Sequence, residues 1–151
     1  MCGGVEVAGR YTNTGQPVRV YFPNPKAALP VLLADGSVEW VPWGRRREQP
    51  GKLPATGWAR MDSITAGKWA RYGPREVHIP AERFMEKDPA RQSHWFDLLP
   101  GQVIEGLLLD VPEERRVYVV TSTPPGGLEW VHDRWPRLLG KLTPASMTRH
   151  L

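Results

Sequence analysis

Apolar residues along this chain come in short runs, and few of the runs have the spacing a helix needs. Pro17 to Phe22 (PVRVYF) is β-branched and aromatic and predicts a strand. Pro30 to Leu33 and Ser37 to Trp43 flank the turn signal Ala34-Asp35-Gly36 and predict a hairpin. In its second arm Val38, Trp40 and Pro42 share one face, and Glu39, Val41 and Trp43 the other. Arg75 to Ile79 (REVHI) reads as a short strand. Val103 to Val111 (VIEGLLLDV) and Arg116 to Ser122 (RVYVVTS) are the most apolar runs, joined tightly through Pro112 to Arg115. Unbroken apolar character predicts that these two are central strands, covered on both faces.

Helix signals are fewer. Asp62 or Ser63 is placed to cap a helix from Ile64 to Tyr72. Leu128 to Trp135, after the breaker Pro-Pro-Gly-Gly, fits a short helical turn. Thr143-Pro144 reads as an N-cap and first helical position, opening a C-terminal helix to about Leu151. Arg45 to Thr56 (RRREQPGKLPAT) reads as a flexible surface loop, its arginines either solvated or touching phosphate. Glycine (15) and proline (16) together make about a fifth of the chain and leave little room for long helices. The expected fold is mainly β (α+β): one compact domain over 1–151, of twisted, barrel-like antiparallel sheets with short peripheral helices.

Composition adds exclusions. With 40% hydrophobic residues and a mean hydropathy of −0.44, the chain has the balance of a globular protein with a real core. No apolar run approaches the ~20 residues of a membrane span, and no signal peptide is visible. One cysteine excludes an internal disulfide and a Cys-rich zinc site, so a reducing, cytoplasmic compartment is expected. The histidines, His78, His94, His132 and His150, have no ligand spacing; neither metal nor cofactor is expected. A net charge of +4 and a pI near 9.5 lean towards an anionic partner. Seven tryptophans are many for this length. Most serve a core, and one or two are available to stack on bases.

The candidate chemistry starts at Met1-Cys2-Gly3-Gly4, where the only cysteine follows the first methionine. Cysteine is small enough for methionine aminopeptidase to remove Met1. The exposed cysteine then carries an amine and a thiol on adjacent carbons. An α-amine has a pKa of roughly 7.7–8, far below lysine's ~10.4, so a useful fraction is unprotonated at neutral pH. Such an amine attacks an aldehyde to give a Schiff base, and the thiol closes on the imine carbon to form a thiazolidine. Two further strings stand out: Ile79-Pro80-Ala81-Glu82-Arg83-Phe84-Met85-Glu86, and Trp130 to Leu139 (WVHDRWPRLL). Each alone is as well explained by surface residues. No nucleophile elbow, phosphate-binding glycine loop or H-E-x-x-H pair is present.

Taken in order, Met1-Cys2-Gly3, Arg10-Tyr11, Trp43-Gly44, Ala59-Arg60, Pro80-Ala81…Phe84…Glu86, Val120-Thr121 and His132-Asp133-Arg134…Pro136 resemble the SOS response-associated peptidase family, also called abasic-site-processing proteins. The resemblance runs from residue 1 to about 139, and its most specific parts are the terminal M-C-G and H-D-R-x-P. It implies a mainly β domain with a basic groove leading to the N-terminal cysteine. It also implies a DNA-damage function: capture of abasic sites in single-stranded DNA as a thiazolidine crosslink. By position, Cys2 is the expected nucleophile. Glu86 handles protons and takes part in releasing the preceding residue, and His132 is an acid/base near the sugar. Arg60 and Arg134 hold phosphates. Trp43, Trp58, Arg10 and Asn13 complete the expected DNA-contacting set. The chain departs from the family pattern at Gly4 (usually arginine), at Trp58 (usually the asparagine that contacts the crosslinked cysteine), at Thr12 to Gln16, and at Phe84-Met85-Glu86-Lys87. Three functions follow: covalent lesion capture, autoproteolysis of the Met1–Cys2 bond by a thiol peptidase, or single-strand binding without chemistry. The expected partner is single-stranded DNA with an abasic site, bound by a monomer away from any membrane.

Overall fold

The computed structural model describes residues 2–140; the helix expected after Thr143 lies outside the described residues. The chain enters through β1 (Gly4–Val7), which pairs antiparallel with β2 (Val18–Tyr21) after a single 3-10 turn at Gly9–Tyr11. The predicted hairpin follows as β3 (Ala28–Leu32) and β4 (Val38–Pro42), with Leu32 opposite Val38. As the alternation predicts, Val41 and Trp43 point inward and Trp40 and Pro42 outward.

The central sheet is built on β9 (Gln102–Val111) and β10 (Glu114–Ser122), the two apolar runs. Their connection is only Pro112-Glu113, with Glu113 at φ 69°. Proline fixes φ at the first turn position, and the left-handed second position matches a type II turn. β6 (Arg75–Ile79) lines the other edge of β9. β5 (Trp58–Arg60) joins β10 in parallel, so the sheet is mixed. β11 (Trp135–Pro136) pairs with the end of β10, and β12 (Leu138–Gly140) with the start of β9. Between them the backbone of Arg137 accepts from Glu105 N and donates to Val120 O. A second sheet has the order β2-β1-β7-β8, with β7 (Arg83–Lys87) and β8 (Ser93–Asp97). The described sheets remain open and do not close into a barrel.

The main core lies between the sheets, where Val5, Phe84, Leu29, Ile79, Leu108, Val117 and Val119 meet Cys2 and Trp43. A second cluster covers the opposite face of β9 and β10, with Leu107, Leu109, Tyr118 and Val120 against Leu53 and Trp69. Two covered faces are why these strands read as unbroken apolar runs. Gly106 permits the close packing on the first face: a Cβ there would lie 2.8 Å from Ile79 Cδ1.

Three expectations need correction. The helix expected over Ile64–Tyr72 is α1 (Met61–Thr65) and a separate 3-10 turn at Ala70–Tyr72. Gly67, at φ 80°, breaks it between them. Leu128–Trp135 forms hydrogen-bonded turns and then β11, not helix. The stretch Arg45–Thr56 is tied down rather than free. Arg46 is 7% exposed and donates to the carbonyls of Phe22, Asn24, Trp43 and Gly44, while Arg45 donates to those of Gln49 and Leu53. A guanidinium with five donors suits such a cluster of carbonyls, so Arg45 and Arg46 serve the fold.

Candidate functional site

The pairing of β1 with β7 brings the start of the chain to Glu86. Gly4 stands opposite Met85, and Gly3 N donates to Met85 O at 2.9 Å. Cys2 is 0% exposed, and its thiol donates to the Gly4 carbonyl at 3.3 Å. Burial, with the nearby charge of Glu86 behind it, pushes the thiol well above its ordinary pKa. Glu86 sits mid-strand on the same inward side as Phe84 and is 0% exposed. Burial raises its carboxyl to about 7, so it gives and takes protons near neutrality.

Trp58 answers what replaces the expected asparagine. Its indole Nε1 donates to the carbonyl oxygen of Cys2 at 2.6 Å. The ring packs against Phe22, with centroids 4.8 Å apart, and edge-on to Trp43 at 6.4 Å. It therefore holds the cysteine's own backbone. Trp43, expected among the DNA contacts, is 0% exposed and donates its Nε1 to Gly57 O at 3.0 Å. It is core and has no face to offer a base.

His132 lies on the segment between β10 and β11. Its Nδ1 accepts from Arg134 N at 3.0 Å and lies 3.0 Å from an Asp133 carboxylate oxygen. Burial lowers its pKa, which favours the neutral ring at physiological pH. Arg134 Nη2 donates to the carbonyl and hydroxyl oxygens of Thr121, at 2.9 and 3.3 Å. Arg60 ends β5 directly opposite Thr121. Its guanidinium forms a two-point pair with Asp62, at 3.1 and 2.9 Å. The hydrogen bond from Arg60 leads in holding the Asp62 carboxyl down to about 2, and the charge of Arg134 adds to it. Asp62 thus occupies the position an external anion would take beside these arginines.

The structure brings Cys2, Glu86 and Trp58 together and sets Arg60 beside the Asp133-Arg134 turn. It does not bring Arg10 and Asn13 with them. The clefts these two exposed residues line lie along β2 and the β3–β4 hairpin and include none of Cys2, Glu86, Arg60, His132 or Arg134. The reason is extension: the four residues of β1 carry the chain about 13 Å away from Cys2 before Arg10. Arg10 instead stacks its guanidinium over Tyr11, 4.8 Å from the ring centroid.

Sequence reasoning missed His94, which stands opposite Glu86 on β8 and pairs Nε2 with Asp88 Oδ2 at 2.8 Å. Asp88-Pro89 between two short apolar runs was the signal for this hairpin. Among the described residues no group of three or more His, Cys, Asp or Glu is arranged to hold a metal ion, and no helix is long and apolar enough to cross a membrane. No protein-family model and no curated protein matches the chain.

Proposed function

We propose that the protein captures abasic sites in single-stranded DNA covalently through Cys2, once Met1 has been removed. The observation that carries this reading is the β1–β7 register, which sets the only cysteine beside a buried carboxyl poised near pH 7. The freed amine adds to the aldehyde of the opened sugar, and the resulting carbinolamine loses water to give an imine. Glu86, protonated, supplies the proton to the departing hydroxyl. As the carboxylate it then receives the proton of the thiol, while sulfur adds to the imine carbon and nitrogen takes up a proton. The balance is aldehyde plus aminothiol to thiazolidine plus one water. Trp58 fixes the Cys2 carbonyl, one bond from the carbon that bears the amine, and so limits the orientations the nucleophile samples. Arg60, Lys68 and Arg134 supply cations for the flanking phosphates.

The test is intact-protein mass spectrometry after incubation with a short single strand bearing one abasic site. The expected product is the chain without Met1, joined to DNA with loss of one water and absent for Cys2→Ala. A second reading, single-strand binding without chemistry, is favoured by the full burial of the thiol. It predicts salt-sensitive binding, a mature chain with Cys2 at its terminus, and no adduct. That outcome would overturn covalent capture.

A further inference from the structure

The segment that carries His132 also walls a cavity of about 450 Å³, a volume typical of small-ligand sites. Trp130 and His132 line it together with Lys87, the last residue of β7, and Asp88, in the turn that follows. Trp130 is 59% exposed, whereas Trp43, Trp69 and Trp135 are all buried. Leaving so large an aromatic in water forgoes the stabilisation that burial gives its neighbours. Yet the ring is not loosely hung. It stands edge-on to His94, with centroids 5.3 Å apart and planes at 85°. His94 is itself held by Asp88, which also accepts from Gln92 N at 2.9 Å. The indole is thus steadied from one side and open on the rest.

The charges of this cavity say what it does not hold. Asp88, Glu129 and Asp133 face it, against the single Lys87, so a phosphate is repelled. On the other side of the His132-Asp133-Arg134 turn the balance reverses, with Arg60, Lys68 and Arg134. A strand crossing this turn meets cations for its backbone on one flank and an uncharged aromatic face on the other.

We infer that the cavity is a subsite for the nucleobase next to the lesion, which stacks on Trp130 beside His132. This rests on the proposed binding of abasic single strands and adds a second point of hold, one that needs an intact base. Stacking on an aromatic side chain is sequence-tolerant, as a lesion-directed protein requires.

The experiment is a protein–DNA double-mutant cycle. The probe is a single strand with one tetrahydrofuran residue, an abasic analogue without the aldehyde, so that only reversible binding is read. Two further strands replace the 5′ or the 3′ neighbouring base with a second tetrahydrofuran. Trp130→Ala is expected to weaken binding to the first strand roughly 5- to 150-fold, and Trp130→Phe to restore most of the loss. On one of the two doubly abasic strands, wild type and Trp130→Ala are expected to bind alike. Equal binding of both proteins to all three strands would overturn the inference, as would the same loss on all three. Either result leaves the proposed function standing if the wild type still binds. A wild type that binds no single strand overturns both.

Discussion

Glu6 and Glu86 lie on adjacent strands of one sheet and have opposite fates. Glu6 is 9% exposed and Glu86 0%. Burial pushes both carboxyls up. At Glu6 the register sets Arg19 on one side and Arg83 on the other, and both donate to it. They outweigh burial and leave Glu6 below its ordinary value. Opposite Glu86 the register sets His94, which is turned to Asp88, and burial prevails. A buried carboxyl within a sheet is therefore lowered or raised in pKa according to how much charge compensation it receives against burial. Its own strand does not decide the matter.

That contrast fails if Glu86→Gln captures DNA at the wild-type rate. The expected result in single-turnover gels is a loss of about 100-fold or more, together with loss of the inflection near pH 7. Stability separates the two residues next. Folded Glu86 takes its proton at about 7 and an unconstrained glutamate at 4.5. Between those values the folded chain binds more protons, so stability falls as pH rises and is level above about 7. Glu86→Gln is expected to remove that slope and to exceed wild type by up to about 3 kcal/mol at pH 7. Glu6→Gln has the opposite sign. It should cost about 1–3 kcal/mol at pH 7, a deficit that shrinks as pH falls through the lowered pKa of Glu6. Urea unfolding at several pH values reads both.

Smaller effects refine the distinction between holding and reacting. Trp58→Phe keeps the ring and removes the donor to Cys2. Capture should slow roughly fivefold with unchanged affinity for the tetrahydrofuran strand, as the loss of one hydrogen bond implies. Asp62→Asn should release Arg60, tighten single-strand binding a few-fold, and steepen its salt dependence by about one counterion. A variant with unchanged salt dependence would mean that Asp62 is no rival of phosphate.

The sequence made the central strands legible because β9 and β10 are covered on both faces and show it as unbroken apolar runs. β6 was legible as a short stretch with Val77 and Ile79 at alternate positions between Pro74 and Pro80. β5, three residues long, was not, because parallel pairing with β10 leaves no local trace. The arginine run at 45–47 was legible only as charge; two of the four carbonyls that Arg46 gathers belong to residues more than 20 positions away. Cys2 and Glu86 were singled out by chemistry and by resemblance. The bond from Trp58 to Cys2 was hidden, since its partners are 56 residues apart, one on β5 of the central sheet and the other just before β1 of the second.

The row Arg60, Thr121, Pro136 runs straight across three hydrogen-bonded strands. Arg60 is a member of that row, and Arg134 is tethered to its middle residue. The spacing between the backbone that carries Arg60 and the residue that anchors Arg134 is thus set by the ladder itself, where neighbouring strands keep about 4.8 Å whatever side chains they carry. The backbone works here as a ruler between two basic residues.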